Sequence, residues 1–377
     1  MNFSKKTILI IPLIIGLLFG GFYLYTTRIS KFNNLQLLWS NYKKKYIDLD
    51  SGRAIDEQRN GVTTSEGQSY AMLQSMWMND KIQFDKSWSW TKYNLQRKND
   101  KLFSWEWGKK SNGNYGIITE NGGENAAIDA DIDIAYSLIL ANKKWNETKY
   151  LEEAREIIRD IWNLGVIQVS NGKFVLAANN LEKQYNKSKI IVNPSYFAPY
   201  AFKLFATITP ELEWRRLAED CYFILNQISQ IKVNQKNLIL PPDWILVNTK
   251  NSEISSLPDK PYQYSYDAVR IPWRIAMDYY YNKNPEALDY LRKFDFLAEE
   301  WKKKNTIYPA YTSLGEIINN ETSTLGYSTS LGYFKIHHPS IADSIYQNKL
   351  EPDIFKTKSY YESNWFWFGL ALYYKAI

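Results

Sequence analysis

The sequence predicts an all-α protein, a toroid of antiparallel helix pairs preceded by one membrane-length apolar segment. Three observations lead there. Apolar side chains recur every three or four residues along most of the chain beyond residue 31. Strand-like alternation is scant, with Gly172 to Ala178 the best candidate. Near the N-terminus, Ile8 to Leu24 runs without a charged residue, close to the ~20 residues that span a bilayer core.

Residues 1–30 form the first unit. Lys5 and Lys6 precede the apolar run; Pro12, Gly16, Gly20 and Gly21 weaken it as a water-soluble helix, but a membrane helix tolerates them. The rival reading, a cleaved signal peptide, should end in an Ala-x-Ala-like site. The chain continues instead as Phe22-Tyr23-Leu24-Tyr25-Thr26-Thr27-Arg28. An uncleaved single-pass anchor is therefore expected, with the body extracellular if Lys5 and Lys6 stay inside; cleavage would make the protein secreted. Basic charge is similar on both flanks, so the positive-inside rule leaves orientation open.

Residues 31–377 read as a single domain, because no Gly/Ser- or Pro-rich linker divides them. Leu151, Ala154, Ile157, Ile158, Ile161 and Trp162 make one helical stripe. Leu217, Cys221, Ile224, Leu225 and Ile228 make another, and Phe197, Tyr200, Ala201, Leu204 and Phe205 a third. Further helical patterns cover 34–45, 131–142, 268–282, 285–302 and 360–376. The long loops 99–126 and 231–265 hold much of the Trp, Tyr and Asp, and binding is expected on such loops.

Aromatic residues are 16% of the chain, a supply of flat rings with polar edges that suits sugar faces as well as large cores. The net charge of +6 includes no long basic block, which argues against nucleic acid. Cys221 is alone, and the adjacent His337 and His338, read as loop residues, leave few ligands for zinc. Neither a metal nor another cofactor is expected, and the protein is expected to be a monomer.

Three acidic stations stand out. Thr64-Ser65-Glu66-Gly67-Gln68-Ser69-Tyr70 places one carboxylate among small hydroxyl residues where helical spacing begins, so Glu66 belongs in a first helical turn. The helix dipole there favours its ionised form; a proton donor needs the opposite push, from burial or a second carboxylate. Ile128-Asp129-Ala130-Asp131-Ile132-Asp133 is the second station. It fits N-terminal charging of a helix, and it begins like a calcium loop but lacks that loop's glycine and terminal glutamate. At the third, Tyr266-Asp267-Ala268-Val269-Arg270-Ile271-Pro272-Trp273, the Asp–Arg spacing of three fits a helix-surface ion pair. It fits equally an arginine that holds Asp267 ionised as a base.

These stations, with Asn193-Pro194-Ser195-Tyr196, Pro242-Asp243-Trp244 and Trp367-Phe368-Gly369-Leu370-Ala371, occur in an order that resembles glycoside hydrolase family 8. The likeness runs from about residue 36 to the C-terminus. It implies an (α/α)6 barrel and hydrolysis of β-1,4-linked polysaccharide with inversion. Carried over by the resemblance, Glu66 matches the proton donor, Asp267 the base that activates water, and Asp129 the acid that holds and distorts the sugar. Tyr196 resembles a water-positioning tyrosine and Trp105 a sugar-stacking tryptophan. Trp107, Trp244 and Arg270 are further candidates for substrate contact. Ile128 departs from the family's usual Ser or Thr. The polysaccharide is a cellulose-like glucan or the cell's own exopolysaccharide. Two other classes compete: a membrane-tethered polysaccharide-binding protein without activity, and a structural envelope protein, which leaves the acidic stations unexplained.

Overall fold

The computed structural model describes residues 30–180 and 188–377. The expected anchor lies outside them; among the described residues no helix is long and apolar enough to cross a membrane. In chain order the helices are α1 (30–46), α2 (Ser65–Trp77), α3 (Lys81–Leu95), α4 (Ile128–Trp145), α5 (Thr148–Gly165), α6 (Pro199–Ile208) and α7 (Trp214–Ile228). They continue as α8 (Ile271–Asn282), α9 (Pro285–Leu291), α10 (Asp295–Lys304), α11 (Leu325–His337), α12 (Pro339–Ile345) and α13 (Tyr360–Tyr373).

Two kinds of helix alternate, and burial separates them. Helices α5 and α7 each bury one stripe, which includes Ala154, Ile157, Ile158 and Ile161 on the first and Leu217, Cys221, Ile224 and Leu225 on the second. They form part of an outer layer. Helix α2, by contrast, is buried at every residue from Ser65 to Met76 except Glu66. Helices α2, α4, α6, α8, α11 and α13 pack side by side as an inner ring. Aromatic edges close it: Tyr70 meets Trp365 and Phe368, and Trp77 stacks on Trp367. The ring and its outer partners make the (α/α)6 barrel that the family resemblance implied.

Polar groups inside so buried a ring must be paired. Arg274 on α8 reaches Asp133 on α4 through two bonds of 2.6 and 2.7 Å, and also donates to Tyr200 on α6. Asp278 takes the Lys203 ammonium at 2.8 Å and the Tyr222 hydroxyl at 2.7 Å. These pairs tie α4, α6, α7 and α8 together.

The predicted stripes coincide with α5, α6 and α7, but some boundaries differ. The pattern over 285–302 is broken into α9 and α10 by a 3₁₀ turn at Arg292–Phe294, and 268–282 begins with another at Ala268–Arg270. His337 closes α11 and His338 caps it, so they are helix-end residues rather than loop; their rings reach the Leu288 carbonyl and Asp295. Within Gly172 to Ala178, Phe174–Leu176 is a strand, paired antiparallel with Val166–Gln168. The long loops also contain strands of two to four residues, such as Glu106–Lys109 between Thr63–Thr64 and Tyr115–Ile117.

Replacing Arg274 by Met strands the Asp133 carboxylate in the interior. A denaturant melt should show a loss of about 3–5 kcal/mol; a loss below about 1 kcal/mol would mean that the pair does not hold α4 to α8.

Candidate active site

Glu66, Asp129 and Asp267 all stand at N-terminal ends of the inner ring, on one end of the barrel. Thr64 caps α2, its hydroxyl accepting from the Gly67 N–H at 3.0 Å, which fixes Glu66 in the first turn. Gly67 is needed for approach: a Cβ there would lie 1.8 Å from the Tyr360 hydroxyl oxygen. The Gln68 amide donates to Thr91 at 2.8 Å and to the Ser87 carbonyl at 3.2 Å, anchoring α2 against α3. Glu66 alone turns outward, with 28% of its side chain exposed to a groove of about 530 Å³.

The alternating acids of α4 divide by helical geometry. Residues four apart share a face and a residue midway lies on the other. Asp129 and Asp133 accordingly meet Arg270 and Arg274, themselves four apart on the facing chain. Asp131 points away and accepts the Phe103 N–H at 2.9 Å, which pins the preceding loop.

Asp267 sits on a turn held from outside. One Asp243 oxygen accepts the N–H groups of Ser265 at 3.0 Å and Ala268 at 2.7 Å, and the other accepts the Ser265 hydroxyl. From this turn Arg270 enters the ring and is 1% exposed. Its Nη1 donates to Glu66 Oε2 at 2.5 Å, Asp129 Oδ2 at 3.0 Å and the Tyr70 hydroxyl at 3.3 Å. Its Nη2 donates to Asp267 Oδ1 at 2.5 Å and the Ser195 hydroxyl at 2.7 Å. Ser195 in turn donates to Asn193 Oδ1 at 2.7 Å.

One cation therefore faces three carboxylates, too little positive charge to keep all three ionised. Burial pushes the Glu66 carboxyl up to about 7; Arg270 opposes that shift, and Asp129 and Asp267 reinforce it. Burial also raises Asp129, against Arg270 and Arg274. Asp129 Oδ1 is buried without a partner among the described residues. The site can thus hold a proton on a groove-facing carboxyl near neutrality, with a second, cation-paired carboxylate a guanidinium's width away.

The other expected contacts divide. Tyr196 lies with its ring centroid 5.5 Å from the Arg270 guanidinium, and Trp244 meets it edge-on at 6.2 Å. Trp105 is half-buried, its indole N–H bonded to the Gly122 carbonyl, with Arg59 5.6 Å over its ring. Trp107 is turned away: it stacks on Tyr115 at 5.5 Å beneath Arg53 at 4.3 Å, while its strand neighbour Glu106 pairs with the groove-lining Arg59. Arg270, expected to touch substrate, is instead buried behind the carboxylates. Sequence reasoning gave no role to Tyr70, Ser195, Asn193, Asp243 or the groove-lining Tyr361 and Glu362. Asn193-Pro194-Ser195 and Pro242-Asp243-Trp244 were visible as motifs, but their partners were not.

Comparison with known proteins identifies the family. The family model described as "Glycosyl hydrolases family 8" matches residues 24–373. A probable endoglucanase of Novacetimonas hansenii is 32% identical over 234 residues, 62% of this chain and 64% of that protein. Endoglucanase A of Acetivibrio thermocellus is 31% identical over 297 residues, 76% of this chain and 57% of that protein. The chain thus spans less than two thirds of the length of these relatives. The crystal structure of an endo-1,4-D-glucanase from Vibrio fischeri ES114 superposes with a TM-score of 0.76 at 24% identity, covering 89% of this chain and 94% of that one.

Asp243→Ala removes the acceptor that orders the turn before Arg270. A loss of about 1–3 kcal/mol of stability is expected in denaturant melts, because buried N–H groups lose their partner. Unchanged stability would mean that the turn stands without Asp243.

Proposed function

We propose that this chain, which belongs to glycosyl hydrolases family 8, is an inverting, endo-acting hydrolase of a β-1,4-linked polysaccharide. The observation that carries this reading is the single guanidinium joining Glu66, Asp129 and Asp267 at the groove. The endoglucanases among its relatives support a glucan as substrate. A cellulose-like chain or the producing cell's own exopolysaccharide fits equally.

In this mechanism Glu66, protonated, gives its proton to the leaving glycosidic oxygen. Asp267, paired with Arg270, takes a proton from the attacking water on the opposite face. Arg270 binds only Oε2 of Glu66, so the proton to be delivered can sit on Oε1. Asp129, held against Arg270 behind the groove, stabilises the sugar ring as it flattens. Tyr196 lines the water's approach, and Trp105 and Trp244 stack on flanking sugars. The chain acts alone, as a monomer tethered by Ile8–Leu24, with the barrel outside the cytoplasm.

Two outcomes test the proposal. Glu66→Gln should lower turnover of a soluble β-1,4-glucan by roughly 10²–10⁴-fold while oligosaccharide binding persists. Near-normal hydrolysis by that variant would remove Glu66 from the donor role, and a wild-type chain that binds without hydrolysing would favour the tethered binding protein. The donor must carry its proton, so kcat/KM should fall above a pH of about 7 and hold below it until the base protonates. A flat profile through pH 9, two units above the Glu66 midpoint, would contradict the acid role.

A further inference from the structure

We infer that the end of the barrel opposite the groove is a membrane-docking face, with a lysine-rimmed pocket that receives the phosphate of an anionic lipid headgroup. The inference rests on the proposal that Ile8–Leu24 anchors the chain.

The point of entry of the chain sets the orientation. Helix α1 runs beside α13, where the Trp367 indole N–H donates to the Leu35 carbonyl at 3.1 Å. At its start Lys31 lies 5.8 and 5.6 Å from the ring centroids of Tyr373 and Tyr374, the C-terminal end of α13. The inner helices present their N-termini to the groove, so the chain enters the body at the other end. The few residues between Leu24 and Lys31 reach at most about 25 Å when fully extended. This end therefore stands over the bilayer, and the groove opens away from it.

The pocket lies beside that entry. It encloses about 330 Å³, with Leu372 among its apolar floor residues, Tyr279 and Tyr280 on its wall, and Lys283, Lys335 and Lys375 at its rim. No carboxylate lines it. Lys335 flanks the same Tyr373 ring as Lys31, 4.8 Å from its centroid. Lys335 is shared with Asp343 at 2.9 Å, whereas Lys283 and Lys375 have no carboxylate at ion-pair distance among the described residues. Of the acids on the helices that flank Lys283, Asp278 is paired with Lys203, while Glu286 on α9 has no ion pair among the described residues. Lys283 lies 5.3 and 5.5 Å from the ring centroids of Tyr279 and Tyr280; an ammonium over tyrosines, with Lys375 beside it at the rim, matches the charge of an anionic headgroup layer.

The test uses the full chain in vesicles of phosphatidylcholine alone or mixed with phosphatidylglycerol. The readout is acylation of individual lysines followed by mass spectrometry. Labelling of Lys283 and Lys375 should slow by about fivefold or more in the anionic vesicles, while Lys109, at the groove end, is unchanged. In the variant Lys335→Glu/Lys375→Glu, Lys283 should lose that protection. Equal labelling in both lipids would overturn the inference, as would equal protection by free glycerol phosphate in detergent. An alkaline carbonate wash separates the two readings. Release of the chain would refute the anchor and the docking face with it; retention without lysine protection would refute docking alone.

Discussion

One buried arginine constrains everything at the groove. Arg270 is 1% exposed and distributes its planar fork over Glu66, Asp129, Asp267, Tyr70 and Ser195. A lysine could not replace it, because an ammonium carries three donors on one nitrogen, whereas the guanidinium spreads five over a fixed planar fork. The arrangement is also frustrated by charge, with one cation against three carboxylates. Burial, against Arg270 and reinforced by Asp129 and Asp267, raises the Glu66 carboxyl to about 7, whereas a first-turn helix position alone would favour ionisation. Strain of this kind is what a proton donor needs.

The barrel exists to bring these groups to one place. Each inner helix contributes its N-terminus to the same end, so residues far apart in sequence face each other across a ring one helix wide. Register is kept below the site by a second, wholly structural pair: Asp133 and Arg274 repeat the Asp129–Arg270 spacing one turn deeper. The upper pair is open to the groove through its partners and the lower is sealed. The same Asp–Arg pairing thus recurs at two levels, one at the groove and one in the sealed core. Around the rim, Asp243 and Thr64 fix the turns that carry Asp267 and Glu66.

Much of this was legible in the sequence, for identifiable reasons. Outer helices such as α5 and α7 announce themselves because one face meets water and the pattern has a period. Helix α11 does not, because Leu325 to Phe334 is buried on all sides and has no polar face to mark the repeat. Glu66 was conspicuous as the lone acid among small residues at a helix start. The role of Arg270 was not: its spacing to Asp267 suggested a local pair, and nothing local reveals a partner 204 residues away. Trp105 and Trp107 looked equivalent, yet Trp105 lies in the bend before the short strand Glu106–Lys109, whereas Trp107 lies within it and stacks on Tyr115. The Arg53 and Tyr115 contacts that occupy Trp107 come from loops no periodicity could place.

The central claim is that Glu66 and Asp267, held by one guanidinium, work from opposite faces of a glycosidic bond with a water between them. Proton NMR of the first product released from a soluble β-1,4-glucan tests it most directly. The account predicts that the new reducing end appears as the α anomer and only then mutarotates. A product that appears first as the β anomer would contradict it, because the configuration would have been retained and Asp267 could not be acting through water.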